Sequence, residues 1–280
     1  MVKFKRSRVG PLKLLLPSSE TLIFTLFVTF TFLIIFLILL SLRIPIPNNF
    51  NSISHNTLIR SKDGAGERWV EIMSWEPRLF LYHNFLTNEE CEHLINIAKP
   101  NMRMSTVIDT QTGKSVNSSV RTSSGTFIMR GHDQIMSNIE KRIADFTFIP
   151  VENGEDVNIL HYEVGQKYLT HADYFSNEIS TKNGGQRIAT MLMYLSNVEE
   201  GGETNFPYAK GNFSSVPWWN KLSDCGKKGL SIRPKMGDAI LFWSMKPDGT
   251  FDPSSLHGAC PVIKGDKWSC TKWLRVGKYK

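Results

Sequence analysis

A long uncharged run near the N-terminus constrains this chain more than any other feature. The run from Thr21 to Leu42 contains no charged residue, and Glu20 and Arg43 bound it. A helix needs roughly 20 consecutive apolar residues to cross the hydrocarbon core of a bilayer. We therefore expect residues 21–42 to form one transmembrane helix, with the residues before and after it on opposite sides of a membrane.

The flanks of this run favour a retained anchor over a cleaved signal peptide. A signal peptide has a shorter apolar region followed by small residues, whereas residues 43–47 read RIPIP. The tail of residues 1–20 is basic because it contains Lys3, Lys5, Arg6, Arg8 and Lys13. Positive charge on this flank predicts a cytoplasmic N-terminus. We expect a single-pass type II protein of the endoplasmic reticulum or Golgi membrane, with its main domain in the lumen.

The basic tail could indicate either a nucleic-acid partner or a membrane partner. The formal net charge of the chain is +7, and part of this excess lies in the tail beside the predicted anchor. A basic segment can indicate nucleic-acid binding, but a membrane flank explains this one. We therefore expect a membrane partner and no nucleic-acid partner.

The residues after the anchor divide into a stalk and one folded domain. Residues 43–68 are rich in polar and turn-forming residues and show no apolar period, which is typical of a linker. We expect the folded domain to cover residues 69–280. Its first part carries two helical patterns: Thr87 and Glu90 form a capping box before an apolar stripe, and residues 133–146 carry a second stripe.

The second part of the domain has the pattern of short strands separated by turns. Residues 105–125 are rich in Ser, Thr, Asn and Gly and predict a loop. Four later segments have β-strand character: Val157–Tyr162, Ile188–Leu195, Asp238–Trp243 and Trp268–Val276. Several short strands with turn signals predict a sandwich or barrel. We assign the domain to the α+β class, as a β-sandwich with helices packed on one face.

Three side chains in the β half have the types required for an iron site. His171 and Asp173 are two residues apart, so in a strand they point to the same face. His257 follows much later and would come from another strand. Two histidines and one carboxylate hold iron(II) on one face and leave positions open for other ligands. Each residue alone has an ordinary structural explanation, and only their combination indicates a metal site.

A lysine near the third candidate ligand suggests how a second anion could bind. Lys267 follows Gly265 and Asp266, and a tight turn at these two residues would fold it back toward the metal as part of a hairpin. A lysine inside an apolar barrel is costly unless a carboxylate pairs with it. On its own Lys267 reads as a surface charge, so the prediction depends on the iron site beside it.

Four motifs make the domain resemble a known family. Residues 171–175 read HADYF, residues 201–207 read GGETNFP, residues 235–245 read KMGDAILFWSM, and residues 255–273 read SLHGACPVIKGDKWSCTKW. These segments resemble the catalytic domain of prolyl 4-hydroxylases, especially the membrane-anchored plant and algal type, over about residues 75–276. The resemblance implies a double-stranded β-helix (jelly-roll) core.

The resemblance assigns roles to individual residues. It implies that His171, Asp173 and His257 bind Fe(II). It implies that Lys267 binds the distal carboxylate of 2-oxoglutarate and that Tyr162 and Thr204 help to hold this cosubstrate. Four further residues correspond to positions near the peptide groove of the family, although aromatic residues on strands are more often core: Tyr168, Arg187, Trp243 and Trp273.

The resemblance also implies the reaction. Peptidyl proline would be hydroxylated at C4 while 2-oxoglutarate is oxidatively decarboxylated to succinate and carbon dioxide, and L-ascorbate would keep the iron reduced. Expected substrates are proline-rich polypeptides of the secretory pathway, either extensin-like or of the arabinogalactan type. Two alternatives remain open: the same chemistry on another acceptor, and a jelly-roll binding module without catalysis.

A lumenal location permits disulfides and glycans. Of the four cysteines, we expect Cys225 and Cys260 to pair, because Cys225 lies in a loop that can reach another strand. A bond between Cys260 and Cys270 is the rival. Cys91 shares an apolar helical stripe and should face the core. Two tripeptides are acceptors for N-glycosylation, and they begin at Asn117 and Asn212.

Overall fold

The computed structural model describes residues 27–31, 57–59, 67–108, 112, 114–116, 118–214 and 216–280. Residues 27–31 are helical and lie inside the predicted anchor, whose other residues fall outside this description. Among the residues described, no helix has the length and apolar character that crossing a membrane requires. The transmembrane helix thus stays a prediction.

Two α-helices in the described domain begin where their capping residues predict. Helix α1 (Asn88–Ala98) starts after Thr87, whose hydroxyl accepts a hydrogen bond from the Glu90 amide while the Glu90 carboxylate accepts one from the Thr87 amide. Helix α2 (Gln134–Thr147) starts after Asp133, whose carboxylate accepts from the Met136 amide. Because each cap supplies acceptors to free N-terminal amides, both helix starts are fixed locally.

Besides these helices and five short 3-10 helices, the described residues form seventeen strands: β1 (Thr57–Ile59), β2 (Arg68–Trp75), β3 (Arg78–His83), β4 (Arg103–Met104), β5 (Val107–Ile108), β6 (Ser115–Val116), β7 (Ser124–Ile128), β8 (Val157–Tyr162), β9 (Tyr168–His171), β10 (Arg187–Tyr194), β11 (Glu200–Gly201), β12 (Thr204–Phe206), β13 (Leu230–Ile232), β14 (Ala239–Trp243), β15 (His257–Ala259), β16 (Val262–Lys264) and β17 (Lys267–Arg275). The four strands predicted from the sequence are all present, as β8, β10, β14 and β17.

Thirteen of the strands form a large and a small antiparallel sheet that pack face to face, and the other four form the two-stranded pairs β11-β16 and β5-β6. The large sheet has nine strands in the order β1-β2-β3-β14-β10-β17-β8-β7-β4, and the small one has four in the order β13-β12-β15-β9. Apolar side chains from both sheets share one core, among them Phe206 and Ile232 from the small sheet and Ile240 and Phe242 from the large one. Two facing antiparallel sheets confirm the sandwich prediction.

The helices cover the opposite face of the large sheet. A second core contains Leu94 of α1 and Ile139 of α2 together with Met191, Leu241 and Cys270 of the sheet. The large sheet is therefore buried on both faces. This arrangement explains why β17, near its centre, is buried at every position.

Three local expectations need correction. Strand β1 lies inside the segment predicted as a stalk, and it pairs with β2, so the sheet begins before residue 69. Strands β5 and β6 pair with each other inside the predicted loop of residues 105–125. Strand β16 pairs with β11 and not with β17, so Lys267 is positioned by the large sheet and not by a hairpin. Strands β1, β5 and β6 are only two or three residues long, too short for a strand period to be visible. The partner of β16 lies far earlier in the chain, which periodicity does not reveal.

The cysteines behave as the sequence predicted. Cys225 and Cys260 form a disulfide with a Cα–Cα distance of 5.7 Å. Cys91 and Cys270 are free and buried. Burial raises the pKa of the Cys91 thiol to about 12 and raises that of Cys270 well above its usual value. Both thiols are therefore protonated and unreactive at neutral pH.

A buried ion pair joins α2 to the large sheet. Lys272 on the helix-facing side of β17 donates to Glu140 of α2, and both side chains are only 2% exposed. Glu140 also accepts a hydrogen bond from the Gly131 amide, at 2.9 Å. Because a buried cation that loses its partner keeps its desolvation penalty, this pair should be far more important than a surface pair.

We predict that Glu140→Gln lowers the free energy of unfolding by about 3–5 kcal/mol, the usual cost of breaking a buried pair from one side. Urea denaturation of the two proteins measures this difference. The matched control is Glu199→Gln, which breaks the exposed Glu199–Lys264 pair and should leave stability unchanged. Equal losses in the two variants would contradict the prediction.

Candidate functional site

Strand pairing brings the three candidate metal ligands together. His171 ends β9 and His257 begins β15, and the two residues are opposite each other in the antiparallel register. Asp173 lies two residues beyond His171, just past the strand. Its carboxylate oxygens are each 3.7 Å from one histidine Nε2 atom, and the three ligand atoms lie within 4.8 Å of one another.

Backbone acceptors fix the tautomer of each histidine. The Nδ1 atom of His171 lies 2.9 Å from the Leu169 carbonyl oxygen, and that of His257 lies 3.0 Å from the Ser255 carbonyl oxygen. A carbonyl oxygen can only accept, so each Nδ1 carries the proton. Each Nε2 lone pair is then free and faces Asp173. This is the orientation that metal-binding histidines require.

The charges of the site also suit a divalent cation. Burial, with a further contribution from His257, lowers the pKa of His171 to about 3. Burial opposes ionisation of Asp173, but the neighbouring His257 and His171 hold the pKa of its carboxyl below the usual value. The hydroxyl of Thr190 donates to the same carboxylate at 2.6 Å. A neutral His171 and an ionised, oriented carboxylate are ready to bind metal without first losing a proton.

These three residues therefore fit iron(II). Two imidazole nitrogens and one carboxylate oxygen on one side of a cavity are the donor set of non-haem iron(II) oxygenases, and this set leaves coordination positions open. Among the described residues, no other group of His, Cys, Asp and Glu is clustered in this way.

The triad lines one cavity together with the predicted cosubstrate residues. Tyr162, Thr204 and Lys267 all line it, as do Tyr168 and Trp273. The ring of Tyr168 stacks on His171 with the centroids 3.6 Å apart. The other lining residues combine apolar and polar side chains: Arg121, Leu160, Leu192, Gly258, Ala259, Ser269 and Thr271.

Lys267 is a buried cation without a carboxylate partner. Its side chain is 1% exposed, and its Nζ donates to the Gly202 carbonyl oxygen at 2.8 Å. In the described part of the chain, no carboxylate lies within ion-pair distance of it. Burial lowers the pKa of Lys267 to about 7. An ammonium group with unused donors in the wall of a cavity fits the carboxylate of a small anion, and 2-oxoglutarate has one to offer at its distal end.

The two other cosubstrate candidates line the same cavity as this lysine. The Tyr162 ring centroid lies 5.3 Å from Nζ of Lys267. Thr204 accepts a hydrogen bond from the buried Tyr194 hydroxyl at 2.8 Å. Burial raises the pKa of Tyr162, so its hydroxyl stays protonated and can donate to an anion.

The structure separates the four residues predicted for a peptide groove. Tyr168 and Trp273 line the cavity, and the buried indole nitrogen of Trp273 has no hydrogen-bond partner. Arg187 lies behind them: its guanidinium stacks on the Trp273 ring at 3.8 Å and binds both carboxylate oxygens of Glu155.

Trp243 does not belong with this group. Its neighbour Phe242 contacts His257 with ring centroids 4.5 Å apart, so Phe242 occupies the cavity face of β14. Because side chains alternate along a strand, Trp243 points to the helix face. There it packs against the helix-side core, and the Arg78 guanidinium lies 4.6 Å from its ring centroid. Trp243 therefore does not line the cavity, and its place near a peptide groove stays a prediction.

Several residues at or beside the site were not predicted from the sequence. Thr190 orients Asp173, and Glu155 binds Arg187, but a lone threonine or glutamate in a strand pattern is unremarkable. Ser269 and Thr271 could have been found, because they alternate with Lys267 and Trp273 along β17. Applying the period of two to β17 would have placed these four side chains on one face.

We predict that His171→Ala, Asp173→Ala and His257→Ala each abolish iron(II) binding, because each removes one of three ligands. Thr190→Val should weaken it by about 10–100-fold, the usual effect of removing an outer hydrogen bond. Iron content after anaerobic loading and dialysis measures both effects. The control is His132→Ala, which removes an exposed histidine. Full iron content in any of the three ligand variants would refute the site.

Comparison with known proteins agrees with this geometry. The family model described as the 2OG-Fe(II) oxygenase superfamily matches residues 157–275. The chain is similar to probable prolyl 4-hydroxylase 10 of Arabidopsis thaliana, with 62% identity over 94% of each chain. It is 68% identical to prolyl 4-hydroxylase 5 of the same organism, over 78% of this chain and 75% of the relative.

A solved structure is similar as well. The viral collagen prolyl hydroxylase of Paramecium Bursaria Chlorella virus-1, solved as a 2OG complex, aligns with a TM-score of 0.52 and 29% identity, over 70% of this chain and 95% of the viral one. The segment that the family model matches contains all three residues of the triad. The chain belongs to the prolyl 4-hydroxylase family of 2-oxoglutarate- and iron(II)-dependent oxygenases.

Proposed function

We propose that this protein hydroxylates peptidyl proline at C4 in proline-rich proteins of the secretory pathway. In the balanced reaction, one dioxygen molecule is consumed. One of its oxygen atoms enters the proline C–H bond, and the other enters the succinate that forms as 2-oxoglutarate loses carbon dioxide. The observation that carries the proposal is that an iron-binding triad and an unpaired buried lysine line the same cavity.

Each residue of the cavity has a defined task in this reaction. His171, Asp173 and His257 would hold iron(II), which supplies the dioxygen chemistry when bound. Lys267 would bind the distal carboxylate of 2-oxoglutarate, and Tyr162 and Thr204 would orient it. The surrounding apolar walls exclude water, which strengthens these charge interactions and limits side reactions. L-ascorbate is the expected reductant for iron that becomes oxidised without turnover.

The aromatic residues at the cavity support a peptide substrate. Proline-rich segments adopt the extended polyproline II helix, and grooves lined by aromatic rings recognise it at low entropic cost. Tyr168 and Trp273 line the cavity, and Arg187 stacks on Trp273. The free indole N–H of Trp273 could donate to a substrate carbonyl. Extensin-like and arabinogalactan-type proteins carry such segments.

We predict that a proline-rich peptide stimulates succinate formation and gains 4-hydroxyproline in equal amount. The measurement is succinate and hydroxyproline after incubation with iron(II), 2-oxoglutarate and ascorbate. The matched control is the same peptide with alanine in place of each proline. Succinate formation that couples only to another acceptor would move the assignment to that acceptor. Absence of succinate with every acceptor would favour a non-catalytic binding module.

The proposed location is the lumen of the endoplasmic reticulum or Golgi, behind a type II anchor at residues 21–42. The uncharged run and the basic tail of residues 1–20 support it. So does the disulfide of Cys225 and Cys260, because such bonds persist in oxidising compartments. Asn212 is exposed, as a glycan acceptor must be, whereas Asn117 lies outside the described residues.

We predict that the chain carries an N-linked glycan at Asn212 when it is made in eukaryotic cells. Treatment with an endoglycosidase should increase its gel mobility, and Asn212→Gln should remove that shift. The parallel variant Asn117→Gln tests the second acceptor. Digestion of residues 69–280 by protease added to sealed microsomes would contradict the lumenal topology.

A further inference from the structure

We propose that Glu203 is a positioning residue of the cosubstrate pocket. Its buried carboxylate belongs to the residue next to Gly202, whose carbonyl oxygen Lys267 binds, and its negative charge favours the ammonium form of the lysine. The loop closed by the Cys225–Cys260 disulfide holds that carboxylate in place. This inference rests on the proposed binding of 2-oxoglutarate by Lys267. It adds a charged group that lies behind the cavity wall and does not line it.

Glu203 lies between two residues that reach the pocket. Gly202 provides the carbonyl oxygen that accepts from Nζ of Lys267, at 2.8 Å. Thr204 lines the cavity itself. Alternation along the chain directs the Glu203 side chain away from the side that Thr204 occupies. It is 0% exposed, so it lies in the protein interior on the far side of this wall.

The Glu203 carboxylate is a buried anion without a cation in contact. One of its oxygens accepts from the Ser223 amide and the other from the Ser223 hydroxyl, both at 2.8 Å. Among the residues that the structure describes, no lysine or arginine lies within ion-pair distance of it. Two donors to one carboxylate partly replace its lost water. A buried carboxylate that has donors but no counterion is unusual, and it acts on its surroundings through its charge.

The disulfide fixes this arrangement from two sides. Cys225 lies in the loop that follows Ser223, and a side chain added at Gly226 would come within 3.0 Å of the Glu203 carboxylate carbon. The Cys260 amide donates to the Glu203 carbonyl oxygen at 2.8 Å. The bond between Cys225 and Cys260 therefore clamps the loop and the Glu203 backbone together.

Electrostatics links this carboxylate to Lys267. Two tyrosine rings, of Tyr162 and Tyr194, lie 5.3 and 5.7 Å from Nζ and carry no charge at neutral pH. The cavity in front of Lys267 contains Arg121 and the iron-binding triad. Burial lowers the pKa of Lys267 to about 7, and Glu203 opposes that shift. Without Glu203, burial would act unopposed and the pKa of Lys267 would be lower still.

Binding of 2-oxoglutarate is linked to protonation of Lys267. The distal carboxylate of 2-oxoglutarate binds the ammonium form, so a neutral lysine must take up a proton when the cosubstrate binds. Affinity then falls by up to about tenfold per pH unit as the pH rises above the pKa of Lys267 in the free protein. Loss of Glu203 lowers that pKa, so the fall in affinity should begin at a lower pH.

The test is calorimetric titration of 2-oxoglutarate into the full chain loaded with manganese(II), which avoids turnover. The titrations run from about pH 6 to about pH 8.5, in pairs of buffers with different ionisation heats, so that proton uptake is measured directly. For Glu203→Gln we expect weaker binding at neutral and higher pH and an uptake near one proton. At the acidic end its affinity should approach that of the unaltered chain.

Two variants separate charge from structure. Ser223→Ala removes the Oγ hydrogen bond to Glu203 but keeps the negative charge, so it should keep the original pH profile even if it unfolds at a lower temperature. Glu203→Asp also keeps the charge and should keep the original proton uptake, which preserves the test if Glu203→Gln does not fold. An identical pH shift in Ser223→Ala, or loss of the original uptake in Glu203→Asp, would overturn the proposal.

Lys267→Ala separates the proposed cosubstrate role of Lys267 from the proposed positioning role of Glu203. It should weaken 2-oxoglutarate binding strongly and abolish the proton uptake. If the unaltered chain does not bind 2-oxoglutarate, or if Lys267→Ala binds it equally well, the proposed cosubstrate role of Lys267 is refuted. If Lys267→Ala behaves as expected but Glu203→Gln keeps the original pH profile, only the role of Glu203 is refuted.

Discussion

The site depends on strand β17 being buried on both faces. Side chains alternate along a strand, so Lys267, Ser269, Thr271 and Trp273 line the cavity. The residues between them face the helices, where Trp268, Cys270 and Leu274 join the core under α1 and α2. One strand thus anchors the large sheet to the helices and carries one wall of the pocket. A shift of its register by one residue would turn Lys267 and Trp273 from the cavity to the helix side of the sheet, and the cavity would lose both side chains.

Two buried lysines on this strand show how context assigns a role. Lys272 and Lys267 are both buried, and burial lowers the pKa of both. Lys272 pairs directly with Glu140, so its charge is compensated within the protein and it connects α2 to the sheet. Lys267 has only the Gly202 carbonyl oxygen and the more distant Glu203. A buried charge that the protein leaves incompletely paired indicates a ligand that completes it.

The metal site also depends on how the strands pair. Pairing β9 with β15 places His171 opposite His257, and the backbone carbonyls of Leu169 and Ser255 orient their rings. Thr190 of the large sheet reaches the Asp173 carboxylate. The triad is therefore held by both sheets of the sandwich. Tyr168 and Trp273 line the same cavity as the triad.

The sequence alone determined the parts that depend on local pattern. The capping box of α1, the apolar stripes and the spacing of His171 and Asp173 are each visible within a few residues. Four short motifs, the longest between residues 255 and 273, carried the family resemblance. The tertiary structure decided which face each strand presents and which strand lies beside it. In the structure Trp243 lies on the helix side and β16 pairs with β11. Thr190 contacts Asp173, and Glu203 lies next to the residue that binds Lys267. These outcomes depend on contacts between residues far apart in the chain, whose free energies arise only when the sheets pack together.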